Sequence, residues 1–216
     1  MSAKRLSIIS LAIAAAFGST VAIAGGPDMP SCQPALNTGF YLGAGPNYGF
    51  GTSMSNFGTA TKFRQGMRGW GGDLYAGWDT VLLHRFYMGL NTFIMFNDIN
   101  SKGDIGNQTG HVRLDYIWGL DAEPGYVPAD NVHLFARVGV ANGWMEIEDS
   151  AGTKNDFSHF GLMLGLGSEV GVGDNFGIRL TYTYYDFGKK QSGNPEAIVR
   201  PYFGISELSL NYHFAQ

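Results

Sequence analysis

One cysteine occurs among the 216 residues, Cys32, so no intramolecular disulfide can form and a disulfide-stapled fold is excluded. Cys32 does not directly follow the expected leader cleavage point, which argues against a lipoprotein anchor and leaves it a lone thiol. Beyond residue 24 no stretch approaches the roughly 18 uninterrupted apolar residues of a transmembrane helix. Basic charge is also scarce: 14 Lys and Arg stand against 18 Asp and Glu, a net of -4, so no nucleic-acid partner is expected. The five histidines, His84, His111, His133, His159 and His213, lack any i, i+2 or H-x-x-x-H spacing, and no metal site is expected from them. Ser158 and His159 are sequence neighbours that point to opposite faces of a strand, so they form no nucleophile and base pair. The glycine runs "GWGGD" (69–73) and "GLGSEVGVG" (165–173) lack the strand-then-helix setting of a phosphate loop. The expectation is a non-enzyme with no catalytic, cofactor or metal residues.

Glycine and aromatics are plentiful. There are 32 glycines, about twice the usual share of roughly 7%, and Phe, Trp and Tyr make up 14% of the chain. The first 24 residues stand apart: Lys4 and Arg5 precede an apolar run, Leu6 to Phe17, and small residues lead to Ala22-Ile23-Ala24. This is the pattern of a secretory signal peptide with an A-x-A cleavage site. Cleavage there would leave 12 basic and 18 acidic residues, a net of -6. The expected organisation is a signal peptide at 1–24, a periplasmic N-terminal segment at 25–37 and one barrel domain at 38–216.

Eight segments of alternating hydrophobicity follow: Thr38 to Phe50, Gly69 to Asp79, Arg85 to Asn97, Gly110 to Asp121, Asn131 to Glu146, Phe157 to Val172, Asn175 to Phe187 and Pro201 to Phe214. Each reaches or exceeds the roughly 9 to 11 residues of a tilted membrane strand. Long polar connections at Gly51 to Arg68, Asp98 to Thr109, Ile147 to Asp156 and Gly188 to Arg200 alternate with mostly shorter ones at Thr80 to His84, Ala122 to Asp130 and Gly173 to Asp174. An even-stranded barrel with both termini in the periplasm has this alternation, long loops outside and short turns inside.

The sequence "HFGLMLGLGSEVGV" (159–172) shows which face is outside. Phe160, Leu162, Leu164, Leu166, Val170 and Val172 occupy one face; the other carries Gly161, Met163, Gly165, Gly167, Glu169 and Gly171. The residues assigned to the apolar face of the eight segments carry no charge, with Val112, Leu114, Tyr116, Trp118 and Leu120 assigned to it on the fourth. Its aromatics separate into two groups near the strand ends, as in the girdles of a membrane barrel. The fold expected is all-β, an eight-stranded antiparallel up-and-down transmembrane β-barrel, apolar face to lipid. Eight strands leave a lumen that side chains fill, and glycines there make room for Tyr75, Tyr87, Phe93, Phe135 and Tyr185.

The inward charges are Asp73, Arg113, Asp115, Arg137, Glu169, Arg179 and Glu207. With turns centred near Tyr126, Gly152, Asp174 and Asn194, hairpin register brings Asp115 to Arg137, Arg137 to Glu169, Glu169 to Arg179 and Arg179 to Glu207. Arg113 adds a cation, with Asp73 facing it across the lumen. Buried charges persist where they are paired, so the seven are read as a structural plug. The loop cations Lys62, Arg64, Arg68, Lys189, Lys190 and Arg200 sit where anionic lipid headgroups could meet them.

Strands such as "VHLFARVGVANGW" (132–144) and "FGIRLTYTYYDFG" (176–188), and the ending "LSLNYHF" (208–214), resemble the small eight-stranded outer-membrane barrels of Gram-negative bacteria, of the OmpA, OmpX and Opa type. That family usually ends on the aromatic itself; here Ala215 and Gln216 follow Phe214. The resemblance implies the outer membrane as location, outer-membrane lipids, lipopolysaccharide and the barrel assembly machinery as partners, and a monomer. It points to a structural, adhesin-like role in which the loops meet a host or surface partner. The alternatives are a small low-conductance pore and a lipid-modifying outer-membrane enzyme.

Overall fold

The computed structural model describes residues 38–57, 63–82, 85–105, 108–148, 154–188, 190–191 and 197–214. The expected leader, the 25–37 segment with Cys32, and the tips of the long connections lie outside the described residues. Among the described residues nine strands form: β1 (Phe40–Phe57), β2 (Phe63–Leu82), β3 (Phe86–Ile105), β4 (Gln108–Ala129), β5 (Val132–Glu148), β6 (Lys154–Val172), β7 (Phe176–Asp186), β8 (Lys190–Gln191) and β9 (Ala197–His213). Eight of them make the wall; β8 is a two-residue ladder beside β9. Consecutive wall strands pair antiparallel, and β1 pairs with β9 from Tyr41↔His213 to Phe57↔Ala197, which closes the barrel. Closure removes the open edges that hydrocarbon would leave without hydrogen-bond partners.

The β4–β5 connection is tighter than the sequence pattern indicates. β4 runs through Ala129, so the expected turn at Ala122 to Asp130 shrinks to Asp130–Asn131. Pro124, Gly125 and Pro128 look like turn residues, yet Asp121, Glu123 and Val127 still alternate inward there. The β6–β7 turn needs Gly173, whose φ of 78° favours a residue without Cβ. At the other end the first six strands reach 17 to 22 residues, well beyond the roughly 9 to 11 required to span. Much of the expected loop sequence is therefore paired strand.

The outer face is apolar as expected. Leu162, Leu164 and Leu166 are 69%, 62% and 67% exposed, and Phe40, Trp70, Phe96 and Phe160 are similarly bare. Phe176 packs against Tyr212 at 5.3 Å near the short-turn end, and Tyr48 against Trp70 at 4.9 Å near the other. Next outward along the strands, beyond Trp70, Phe96, Trp144 and Tyr184, come Arg68, Asp98, Glu146 and Asp186. The charges mark where the apolar band ends.

One irregularity alters the interior. Tyr116 pairs with Trp144 but Leu114 with Met145, so Asp115 is an extra residue on β4, a β-bulge. The bulge reverses the alternation: Leu114, assigned outward from the sequence, is fully buried in the lumen together with Ile117. Arg113 and Asp115 consequently sit at the rim and not in the lumen.

Candidate functional site: the charged lumen

Two arginines organise the half of the lumen nearer the short turns. Arg137 on β5 donates from Nη2 to Asp121 Oδ2 at 2.7 Å and from Nη1 to Glu207 Oε2 at 2.8 Å. Its Nε lies 3.6 Å from Glu123 Oε1. Arg179 on β7 donates from Nε to Glu169 Oε2 at 2.9 Å and from Nη1 to Glu123 Oε1 at 3.0 Å. Glu123 thus joins the two guanidinium clusters from β4. Arg179 also lies over the rings of Phe135, Tyr41 and Tyr75, with Cζ to centroid distances of 4.7, 5.0 and 5.3 Å.

Glu169 holds the network against the wall at the chain's end. It accepts from Asn211 Nδ2 at 2.7 Å and lies 2.6 Å from His213 Nε2. Asp79 accepts the Gly39 backbone N–H at 2.9 Å and the Tyr87 hydroxyl at 3.2 Å. Beyond this layer, towards the long connections, the lumen turns apolar. Met67, Ile99, Leu114, Met145, Met163 and Ile205 are 0 to 2% exposed, and Phe187 stacks on Phe203 at 5.4 Å and on Tyr185 at 6.1 Å. Glycines supply the clearance expected of them: a Cβ on Gly119 would meet the Phe93 ring, on Gly167 the Phe135 ring and on Gly43 the Tyr75 ring.

Of the seven charges named from the sequence, five are buried inside: Asp73, Arg137, Glu169, Arg179 and Glu207. Their pairing differs from the simple hairpin register. Glu169 and Arg179 are level and bonded, as expected. Arg137 does not meet Asp115 or Glu169; it is level with Gly165 on β6 and falls between the pairs Ala122↔Val138 and Gly125↔Phe135, beside Glu123. Arg179 is level with Ser209, and Glu207 with Thr181, so Glu207 reaches Arg137 instead. Arg113 makes a rim pair with Asp115 at 2.9 Å and lies 3.6 Å from Asp98; it does not face Asp73. Neither carboxylate oxygen of Asp73 is hydrogen-bonded to another described residue.

Sequence reasoning missed Asp79, Asp121 and Glu123. The first two close their expected segments on the inward parity, and Glu123 falls in the expected turn Ala122 to Asp130. Continuing the alternation from Gly119 through Asp121 to Glu123 would have found both β4 acids. With them the buried described residues hold six carboxylates, Asp73, Asp79, Asp121, Glu123, Glu169 and Glu207, against two arginines and His213, which lies 2.6 Å from Glu169 and 4.0 Å from Asp79, so acids outnumber bases in the lumen. His133, His159 and His213 also point inward and are buried. Among the described residues no group of three or more His, Cys, Asp or Glu is arranged to hold a metal ion. A groove of about 690 Å³ lies mainly on the apolar outer face over Ala44 and Ala76, walled by Trp118, Phe176 and Tyr212. Of the six loop cations only Arg68 has a described side chain, and it is exposed.

The chain is similar to the 22 kDa outer membrane protein of Rhizobium leguminosarum bv. viciae, 27% identical over 154 residues, which span 70% of this chain and 65% of that relative's length. Among solved structures the barrel is similar to Neisserial surface protein A (TM-score 0.52, 14% identity, 82% of this chain and 98% of that one). It is also similar to the outer membrane protein OprG from Pseudomonas aeruginosa (TM-score 0.51, 10% identity, 85% and 99%). At such identities these two show a shared fold. The outer membrane protein beta-barrel domain family matches residues 10–214, and with the closed barrel, apolar outer face and filled lumen in place, the chain belongs to that family of Gram-negative outer-membrane proteins.

Proposed function

We propose that this outer-membrane barrel is a closed, non-enzymatic scaffold whose work is done at its long-connection end, as a surface-interaction module of the adhesin kind. The observation that carries this reading is the filled lumen: among the described residues a cross-linked charged layer is followed by an apolar layer, and the side chains of both are nearly solvent-free. A protein that neither conducts nor encloses substrate still presents the ends of long paired strands beyond the membrane. In this reading lipids, including lipopolysaccharide, surround the apolar band, the signal peptide is removed, the barrel assembly machinery inserts the barrel, and the loops of a monomer meet a host or surface partner.

A low-conductance pore is the second reading, favoured by the acid excess of the lumen, which would attract cations. The apolar layer of Ile99, Met145, Phe187 and Phe203 opposes it, because ions do not cross a dry hydrophobic constriction cheaply. The test replaces 58–62, 106–107, 149–153 and 192–196 by short Gly-Ser linkers and compares cell-surface binding with planar-bilayer conductance. Lost binding with a heat-modifiable, non-conducting barrel supports the scaffold. Unchanged binding, or steady conductance in the wild type, overturns it.

A further inference from the structure

Three inward side chains on adjacent strands have polar ends with nothing to bond. Asn47 on β1 is level with Gly71 on β2, and Gly71 with Asn97 on β3. Asp73 sits two residues along β2 from Gly71, on the same face. The three side chains are 1%, 6% and 3% exposed for Asn47, Asn97 and Asp73, yet neither amide nor either carboxylate oxygen is hydrogen-bonded to another described residue.

Their geometry converges. The amide oxygens of Asn47 and Asn97 both fall within 2.7 Å of the point where a Cβ on Gly71 would sit, so the missing side chain leaves the space they face. Asp73 is the diagonal neighbour of both, roughly 7–8 Å away by Cα and within side-chain reach. Glu207, level with Asn47 on β9, is engaged by Arg137 and adds negative field without needing a further partner. Ile99 and Ile205 close the pocket on the long-connection side: both would contact a Cβ on Gly49, the next inward position after Asn47.

Buried polar atoms are paired in native proteins, and a buried carboxylate without a counter-charge is costly. Arg137, Arg179 and His213 engage the other five lumen carboxylates, Asp79, Asp121, Glu123, Glu169 and Glu207, and none of the three forms an ion pair with Asp73. We propose that Asp73, Asn47 and Asn97 are oxygen ligands of one hard cation, of the calcium or sodium class, held in the lumen between the charged and apolar layers. Oxygen-only donors with a single carboxylate suit such ions and not soft metals. The site is independent of what the loops bind, and it differs from the histidine-based metal sites that the sequence spacing disfavours.

The test uses the full barrel refolded in a zwitterionic detergent without lipopolysaccharide and exchanged into choline chloride. Equilibrium dialysis against 45Ca2+ or 22Na+ should show about one equivalent bound per chain, and that ion should raise the thermal unfolding midpoint by about 5 °C or more over choline. The two isotopes separate the divalent from the monovalent case. Asp73→Asn and Asn97→Ala, each checked for folding by heat-modifiable migration, should lose uptake and shift, whereas Asp115→Asn at the rim should keep both. Absence of uptake by the wild type, or uptake undiminished in whichever of Asp73→Asn and Asn97→Ala folds, would overturn the proposal and leave water and a proton as the pocket's contents.

Discussion

Arg137 and Glu207 form a charge-assisted hydrogen bond of 2.8 Å that crosses the lumen from β5 to β9, two strands that are not neighbours in the wall. It ties opposite parts of the barrel together at a point where neither charge meets water. Arg137→Ala should therefore destabilise by about 3–5 kcal/mol, the usual cost of stranding one side of a buried pair. Adding Glu207→Gln and Asp121→Asn should recover part of that loss. Urea unfolding in lipid vesicles measures both, and losses that add independently would contradict the cross-lumen contact.

Glu123 and Asp115 give opposite expectations although both are acids on β4. Glu123 is fully buried and reaches both arginines, so Glu123→Gln should cost several kcal/mol, by the same buried-pair argument. Asp115 lies on the bulge beside Arg113, whose side chain is 55% exposed, so Asp115→Asn should stay within about 1 kcal/mol. Equal costs in unfolding experiments would mean that Asp115 is inside after all.

The apolar layer should act as the seal. Phe203→Ala should cost about 3–5 kcal/mol as a large-to-small core change, and the pair Ile99→Ala with Phe203→Ala should convert a silent barrel into one with measurable current in planar bilayers. No current in the double variant would place the barrier in the charged layer.

Two glycines separate clearance from mere abundance. A side chain at Gly43 would run into the Tyr75 ring and the Asn211 amide, so Gly43→Val should block the heat-modifiable folded form or slow its appearance. Gly66 has nothing within 4 Å of an added Cβ, and Gly66→Ala should migrate and unfold like the wild type, within about 0.5 kcal/mol.

The outward face was legible because strand alternation has period two and lipid tolerates no charge on it. Phe160, Leu162, Leu164 and Leu166 declare their side without reference to any partner. The inward charges were legible as a class for the same reason, and Glu169 with Arg179 even as a pair, since a three-residue turn links β6 and β7 and leaves little freedom in register. Arg137 was misassigned because its registers depend on where β4 and β5 turn: a segment with Pro124, Gly125 and Pro128 conceals eight further residues of β4, and on the other side Arg137 is level with Gly165 and not Glu169.

By itself the sequence determined that strands alternate, which face is apolar, that charges and glycines share the inside, and that the wall has eight members. These are local properties, set by residue type and parity along one strand. The tertiary structure decided which charges meet, that Asp115 bulges outward and carries Arg113 with it, that Glu123 bridges two arginines, and that Asp73, Asn47 and Asn97 converge unpartnered. Those outcomes depend on register, bulge and the closure of β1 on β9, which place residues as much as 136 positions apart, such as Tyr75 and Asn211, on one narrow axis.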